Sequence, residues 1–295
     1  MTTVSDTDRR DWFTQLVDLN KFSETSDTHA WLRRMQEHAQ TEIKHLPIPT
    51  RKSESWKYTL LDGLFTQNFT PVSEEFDALQ AGDIENWLFE ATDAYRIVFA
   101  NGRYVPALTS FAELPEGISI GSLRRALRHH PEVLSTWFGQ TANHNHDVFT
   151  ALNTALMNDG LFIHIEQNTV LERPVEVVHL NLSLNQPALI QPSSLLVLEQ
   201  GAQAEIIERY ISTGSSVYFY NGITEILLEP DAELTHVSLQ EESQQAFHLQ
   251  RRFLSQAKGS RYKSTALSLG GKWARDELQV RFQAEDATCQ TNGLY

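Results

Sequence analysis

The spacing of apolar residues changes once along this chain. Up to about residue 160 they recur three and four apart, the period of a helix. Beyond it they fall in short runs and strict alternations, the pattern of strands. Trp12, Phe13, Leu16 and Val17 predict a first short helix closed at Asn20. A second is predicted from the N-cap Asp27, with Trp31, Leu32, Met35 and Ala39 on one face and Pro47 and Pro49 as its stop. Arg51 to Asp62 reads as a polar linker that carries aromatic residues. Ile97, Val98 and Phe99 precede Asn101-Gly102, a pair that tolerates the positive φ of a two-residue hairpin, with Tyr104 and Val105 on the return. Ser122 can cap a helix through Leu123, Ala126 and Leu127, stopped by Pro131. Asp147 can cap another through Phe149, Leu152 and Leu156, stopped at Asn158-Asp159-Gly160.

After Gly160, Leu161 to Ile165, Val175 to Leu182 and Leu195 to Leu198 are apolar runs, and Leu278, Val280 and Phe282 alternate with polar neighbours. The turns between such runs are alike: Glu166-Gln167-Asn168-Thr169, Glu199-Gln200-Gly201-Ala202, Glu229-Pro230-Asp231-Ala232, Ala257-Lys258-Gly259-Ser260 and Ala284-Glu285-Asp286-Ala287. With Thr169, Ala202, Ala232, Ser260 and Ala287 as equivalents, subtraction gives steps of 33, 30, 28 and 27 residues. Steps so nearly constant predict stacked coils, each of two strands of about 5–6 residues plus loops. The fold class read from the pattern is mainly β with N-terminal α. A helical or mixed domain spans residues 1–160, and a β-solenoid core spans 161–295. A Greek-key sandwich, which also has many short strands, is the alternative.

Composition narrows the class. Hydrophobic residues make up 41% and charged residues 21%, an ordinary globular balance. Twenty-four basic against 38 acidic residues leave a net charge of −14, which argues against nucleic acid or an anionic membrane as a partner. The single cysteine, Cys289, allows no intrachain disulfide and no four-cysteine cluster on this chain alone. Met1 to Asp11 is polar and unlike a signal peptide, and no apolar stretch approaches a membrane span. A cytoplasmic protein is expected.

Candidate chemistry is sparse. His144-Asn145-His146-Asp147 has two histidines with ligand-like spacing, yet a metal needs further ligands from elsewhere, so a solvated loop is expected. His129-His130 suits the C-terminal dipole of a helix. His164, His179, His236 and His248 fall in strands and read as hydrogen-bonded histidines of a solenoid wall, and Glu241-Glu242 as a solvated face. Gly270-Gly271 is a turn, with no phosphate-loop pattern around it. Cys289 lies in a predicted strand without an assignable base and reads as a buried structural thiol. No catalytic, cofactor-binding or metal residue is assigned.

Several short stretches together resemble the SufD branch of the SufB/SufD family of the SufBCD iron–sulfur cluster assembly scaffold. They are Glu54-Ser-Trp56-Lys-Tyr58-Thr59, Phe149-Thr-Ala-Leu-Asn-Thr-Ala-Leu-Met-Asn-Asp-Gly160, Gln200-Gly-Ala202 leading into Ile206-Ile-Glu208, Leu234-Thr-His236, Ala246-Phe-His248, Gly270-Gly271 through Arg275-Asp276, and Asn292-Gly-Leu-Tyr295. Their order and spacing, over nearly the whole chain from Glu54, make the resemblance specific. It implies a helical N-terminal domain and a right-handed parallel β-helix core.

The resemblance also implies a non-catalytic scaffold subunit that pairs with a SufB-like subunit and works with the SufC-like ATPase. No cluster is expected on this chain alone; a nascent iron–sulfur cluster belongs to the complex with the SufB-like subunit. The family continues past the point where this sequence stops, with further coils, an interface histidine and the segment that docks the ATPase. The expectation is therefore an incomplete core whose last strand, Thr288 to Tyr295, self-associates or pairs with the SufB-like subunit. Two other classes are kept. One is a SufB-like cluster-holding subunit, against which the single Cys289 speaks. The other is a β-solenoid carbohydrate-active enzyme, which would need converging carboxylates.

Overall fold

The computed structural model describes residues 4–19, 29–72, 76, 79–87, 93–111, 113–142 and 147–295. Asn20, Asp27 and His144, Asn145 and His146 lie outside the described residues. The helices are α1 (Asp6–Leu19), α2 (Ala30–Glu42), α3 (Asp62–Phe65), α4 (Ala81–Ile84), α5 (Leu123–His129), α6 (Pro131–Trp137) and α7 (Val148–Leu156). The first strands are β1 (Thr70–Pro71), β2 (Tyr95–Ala100), β3 (Arg103–Tyr104) and β4 (Ile118–Ser122). The long series then runs β5 (Leu161–Ile165), β6 (Val175–Asn181), β7 (Ala188–Ile190), β8 (Ser193–Leu198), β9 (Gln203–Ser212) and β10 (Tyr218–Leu228). It closes with β11 (Glu233–Glu241), β12 (Ala246–Gln256), β13 (Arg261–Ser268), β14 (Trp273–Phe282) and β15 (Thr288–Leu294).

From β5 onward the chain alternates between two sheets, with β7 and β8 acting as one interrupted strand. One sheet runs β1-β7-β10-β8-β5-β4, with β12 on β10 and β14 on β12; the other runs β15-β13-β11-β9-β6-β2-β3. Every pairing among β5 to β15 is parallel. That makes a β-solenoid of about four turns and excludes the antiparallel Greek-key alternative. The strands are longer than the expected 5–6 residues: β9 to β12 run 10, 11, 9 and 11.

The turn equivalence holds atom by atom. Asn168, Gly201, Asp231, Gly259 and Asp286, each one residue before the aligned position, all have φ between 59° and 68°. The backbone N–H of each of the first four donates to the next coil: Asn168 to Gln200 O, Gly201 to Pro230 O, Asp231 to Lys258 O and Gly259 to Glu285 O. Left-handed backbone selects Gly, Asn or Asp. The alternation has a steric cause. A Cβ on Gly201 would lie 2.6 Å from Asn168 Oδ1, and one on Gly259 would lie 2.3 Å from Asp231 Oδ1. Each side chain thus occupies the space above the glycine of the next coil.

The predicted helices form, with instructive differences. Trp12, Phe13, Leu16 and Val17 are all buried. Ser122 Oγ accepts from Arg125 N, and Asp147 accepts from Phe149 N and Thr150 N. Pro131 stops α5 and also starts α6, where a missing N–H costs nothing. Asn101 and Gly102 both take positive φ and turn β2 into β3. The stretch read as a linker is anchored instead: Trp56 is buried, its ring 5.3 Å from Phe149.

The helical region covers the outer face of the first sheet. Trp12, Phe13, Trp56, Phe149 and Leu152 pack on Phe219, Phe247 and Leu249, and Leu32, Leu123 and Leu134 pack on Leu195, Val197 and Leu227. Helix α7 is buried along its whole length. With one face on the helices and the other on the interior, β10 is buried at every position, whereas β11 alternates, one face inward and one outward.

Candidate functional site

Between the sheets the interior changes character along the strands. Near the left-handed turns it is aliphatic, where Leu196, Leu198, Ile206, Ile226, Leu228, Leu234 and Leu254 pack together. Farther along, the same inward phase carries Glu208, Tyr210, His236, Tyr220, His248 and Arg252, all buried. Register sets His179 beside Tyr210 and Tyr220 beside His248. The rings follow: His179 stacks on Tyr210 at 4.5 Å between centroids, and Tyr220 on His248 at 4.9 Å. The two stacks meet edge to face, Tyr210 lying 5.4 Å from Tyr220 and 5.0 Å from His248.

Glu208 is the charged centre of this layer. Tyr210 Oη donates to Glu208 Oε2 at 2.5 Å. His236 Nε2 at 3.5 Å, Arg252 Nη2 at 3.7 Å and His179 Nε2 at 3.8 Å are ion-pair contacts beyond good hydrogen-bond length. Neither ring nitrogen of His179 has a hydrogen-bond partner among the described residues. Arg252 also pairs with Asp276. Burial alone would push the Glu208 carboxyl up; the imidazoles of His179 and His236 bring it well below the ordinary range instead. Burial would likewise pull Arg252 down, but Asp276, Tyr210 and Glu208 hold it well above its usual value. Both groups therefore stay ionised where neither meets water.

A second carboxylate extends the network. Glu242 Oε1 accepts from Tyr218 Oη and Asn181 Nδ2, each at 2.9 Å, and its Oε2 accepts from Gln240 Nε2 at 2.9 Å. His248 Nδ1 lies 2.6 Å from the same Oε2. Burial pushes this carboxyl up too, and is outweighed by the charge and hydrogen bond of His248 with the bonds from Gln240 and Tyr218, so it sits below its usual value of 4.5. Burial raises the phenols of Tyr210 and Tyr220 well above their usual value, and that of Tyr262 to about 12. The arrangement fixes charge and register across strands of both sheets. Among the described residues no group of three His, Cys, Asp or Glu side chains is set to hold a metal ion.

The two carboxylates set a pH dependence. Their folded pKa values lie below the unfolded value of 4.5, so the unfolded chain binds more protons as pH falls past it. The stability they contribute is full above that value and drains away below it. Asp159 has the opposite sign: burial raises its carboxyl above 3.8, so its contribution is full below 3.8 and is lost as pH rises. Glu277, which burial would raise but Arg251 holds down, and Asp8, held down by Ser5, share the sign of the first two, and Glu229, raised by burial, shares that of Asp159. The lowered carboxyls outnumber the raised ones, and thermal midpoints are expected to fall steeply between about pH 5 and pH 3. In the Glu242→Gln variant calorimetry should give a shallower fall; a slope equal to that of the parent chain would show that Glu242 is not ionised in the fold.

The residues singled out in the sequence fall in different places. His179, His236 and His248 sit in strands as expected but point inward and join the network. His164 Nε2 instead pairs with Glu199 at 2.9 Å. The Glu241-Glu242 reading is corrected: Glu241 pairs with Arg209 at 2.8 Å, but Glu242 is buried, because it continues the inward phase of His236 and Gln240. The His130 ring stacks on Phe162 at 5.5 Å. Cys289 is half-buried beside the aliphatic cluster, and burial pushes its thiol up. Of the four-residue candidate at His144, only Asp147 is described, as the cap of α7 and a partner of Arg251.

The stretches that carried the resemblance meet in space. Arg275 lies over the Trp56 ring at 4.4 Å and donates to Thr59 Oγ1 at 3.4 Å, joining two segments more than 200 residues apart. Asn153 of α7 donates to Pro192 O and Asn221 O and accepts from Ser193 Oγ, clasping the helix to two coils. Asn221 returns a bond to Phe149 O at 2.9 Å.

Two family models cover nearly the whole chain: the SufBD protein N-terminal region matches residues 8–177, and the SufBD core domain of SUF-system FeS cluster assembly matches residues 181–295. An iron–sulfur cluster assembly SufBD family protein of Synechocystis sp. is 34% identical over 82% of this chain and 54% of its own length. The iron–sulfur cluster assembly protein SufD of Escherichia coli is 27% identical over 88% of this chain and 58% of its own. SufD of Bacillus subtilis is 26% identical over 74% and 50%. The chain spans about half the length of the curated relatives it matches. With its motif residues clasped together and its solenoid in place, the chain belongs to the SufBD family of iron–sulfur cluster assembly proteins.

Proposed function

We propose that this chain serves as a non-catalytic, SufD-like scaffold subunit in iron–sulfur cluster assembly in the cytoplasm. In this reading it pairs with a SufB-like subunit in a SufBCD-type complex with a SufC-like ATPase. The observation that carries the reading is the pair of SufBD family matches, N-terminal region then core, laid over one clasped body. The single cysteine supports the SufD-like side over the SufB-like one, since iron–sulfur clusters are ordinarily held by several thiolates. A nascent cluster is cargo of the complex, not a resident group of this chain.

Co-expression with the SufB-like and SufC-like proteins of the same organism tests this. The chain is expected to co-elute with the SufB-like subunit. Anaerobic reconstitution of the isolated chain should give no stable visible chromophore, and the same treatment of the complex should give one. A stoichiometric cluster on the isolated chain, or a SufB-like protein that elutes without it, would overturn the proposal.

A further inference from the structure

A cavity of about 250 Å³ opens beside α5, lined by Arg103, Arg124, Arg125 and Arg128 together with Tyr104 and Ser122. On a chain of net charge −14 a group of four arginines is against the trend. Among the described residues no carboxylate pairs with Arg124, Arg125 or Arg128. Arg103 donates from Nη2 to Val72 O at 2.7 Å, while its Nε is buried and has no partner. Among the described residues, the one acidic member of the lining, Asp159, is turned to other work: it accepts from the backbone N–H of Arg124 at 3.1 Å and of Gly160 at 2.9 Å. Among the described residues, the cavity therefore presents guanidinium groups without their own counter-ions.

A second cavity, about 240 Å³, shares Tyr104, Ser122 and Arg125 with the first. Its other walls are mostly apolar or aromatic, among them Phe111, Ile120 and Phe162, with His130 stacked on Phe162. Arg125 stands at the junction, its guanidinium 5.8 Å from the centroid of the Tyr104 ring. The two volumes adjoin at these shared residues, an arginine-lined half beside a more apolar one. Planar guanidinium forks suit phosphate oxygens, and aromatic walls suit a flat apolar body.

We propose that these adjoining cavities bind a phosphorylated small molecule, its phosphate among Arg103, Arg124, Arg125 and Arg128 and its apolar planar part against Phe111 and the His130 ring that covers Phe162. The site lies at the β4 edge of the first sheet, away from Glu208 and Glu242, and stands apart from the scaffold reading.

The test is calorimetric titration of this chain with phenyl phosphate, inorganic phosphate and a glutamate-rich decapeptide at fixed ionic strength. Phenyl phosphate should saturate at one site and bind more tightly than inorganic phosphate, because only it fills the apolar half. Arg124→Glu/Arg128→Glu should weaken it at least about tenfold. Arg281→Glu, at an exposed position on β14, should leave it unchanged. Both arginines of the double variant are exposed, and an unchanged circular dichroism spectrum will confirm its fold. Absent or unsaturable binding of phenyl phosphate, or equal affinity in the double variant, would overturn the proposal. So would tight binding of the decapeptide with none of phenyl phosphate, which would mark the arginines as a protein-docking surface.

Discussion

Replacing Arg252 by alanine is expected to lower the unfolding free energy by about 3–5 kcal/mol, read as a shift in the urea midpoint with an unchanged slope. The guanidinium is buried, 3.7 Å from Glu208 and paired with Asp276. Removing it takes the guanidinium charge from Glu208, which keeps the Tyr210 hydroxyl and two imidazoles beyond good hydrogen-bond length, in an interior where water cannot replace what is lost. Asp276 suffers less, since its side chain is a quarter exposed and can hydrate. The penalty belongs to the orphaned charge and not to the pair itself. The double variant Arg252→Met/Glu208→Gln should therefore recover a large part of the loss, because an apolar side chain beside a neutral amide leaves no unpaired ion. Arg281→Ala, exposed on β14, should stay within about 0.5 kcal/mol of the parent chain. An Arg252→Ala loss below about 1 kcal/mol would mean that water reaches the interior and that the buried network is not closed.

How much of this was legible in the sequence depends on which face of a strand a residue takes. The coils could be read because left-handed turns demand Asn, Asp or Gly, and those residues recur in place from Asn168 to Asp286. Helix starts at Ser122 and Asp147 could be read because a capping side chain stands next to the apolar stripe it serves. The interior network escapes periodicity because a charged residue in a strand, as at Glu241-Glu242, is expected on the outer face. The phase of two carried the signal: Glu208 and Tyr210 share it with Ile206, and His236 with Leu234. What periodicity cannot supply is which residues of different coils meet. The stack of His179 on Tyr210 follows from the pairing of β6 with β9, 31 residues apart, and only register reveals it. Trp56 was hidden for a related reason. Its partners Phe149 and Arg275 are far along the chain, and two aromatics in a short polar stretch have no period of their own.

Gly160→Ala is expected to be the most damaging single methyl in the chain. Gly160 follows α7 and opens the first coil, where its backbone passes against β8. A Cβ there would lie 1.8 Å from Ser193 O and 2.5 Å from Ser193 C, both backbone atoms that cannot rotate away. The neighbouring bonds leave no slack. Ser193 N donates to Asp159 O at 3.0 Å, Leu123 N to Gly160 O at 2.7 Å and Leu161 N to Ser194 Oγ at 3.1 Å. Moving the strand far enough to admit the methyl breaks several of these at once and lifts β8 from the buried Asn153 clasp. A loss of about 4 kcal/mol or more follows, which in a chain of this size lowers the thermal midpoint by roughly 6 °C or more, or leaves the protein insoluble. Gly222 makes a useful contrast. A Cβ there meets Gln250 Oε1 at 2.1 Å and the Tyr220 ring at 2.7 Å, side-chain atoms that can yield in part, so Gly222→Ala should cost less. At Gly121 nothing lies within 4 Å of the added methyl, and Gly121→Ala should leave stability within about 1 kcal/mol of the parent chain or slightly above it. Differential scanning calorimetry of the three variants ranks them. A Gly160→Ala midpoint within about 2 °C of the parent would show that the corner between α7 and β5 is not packed against Ser193.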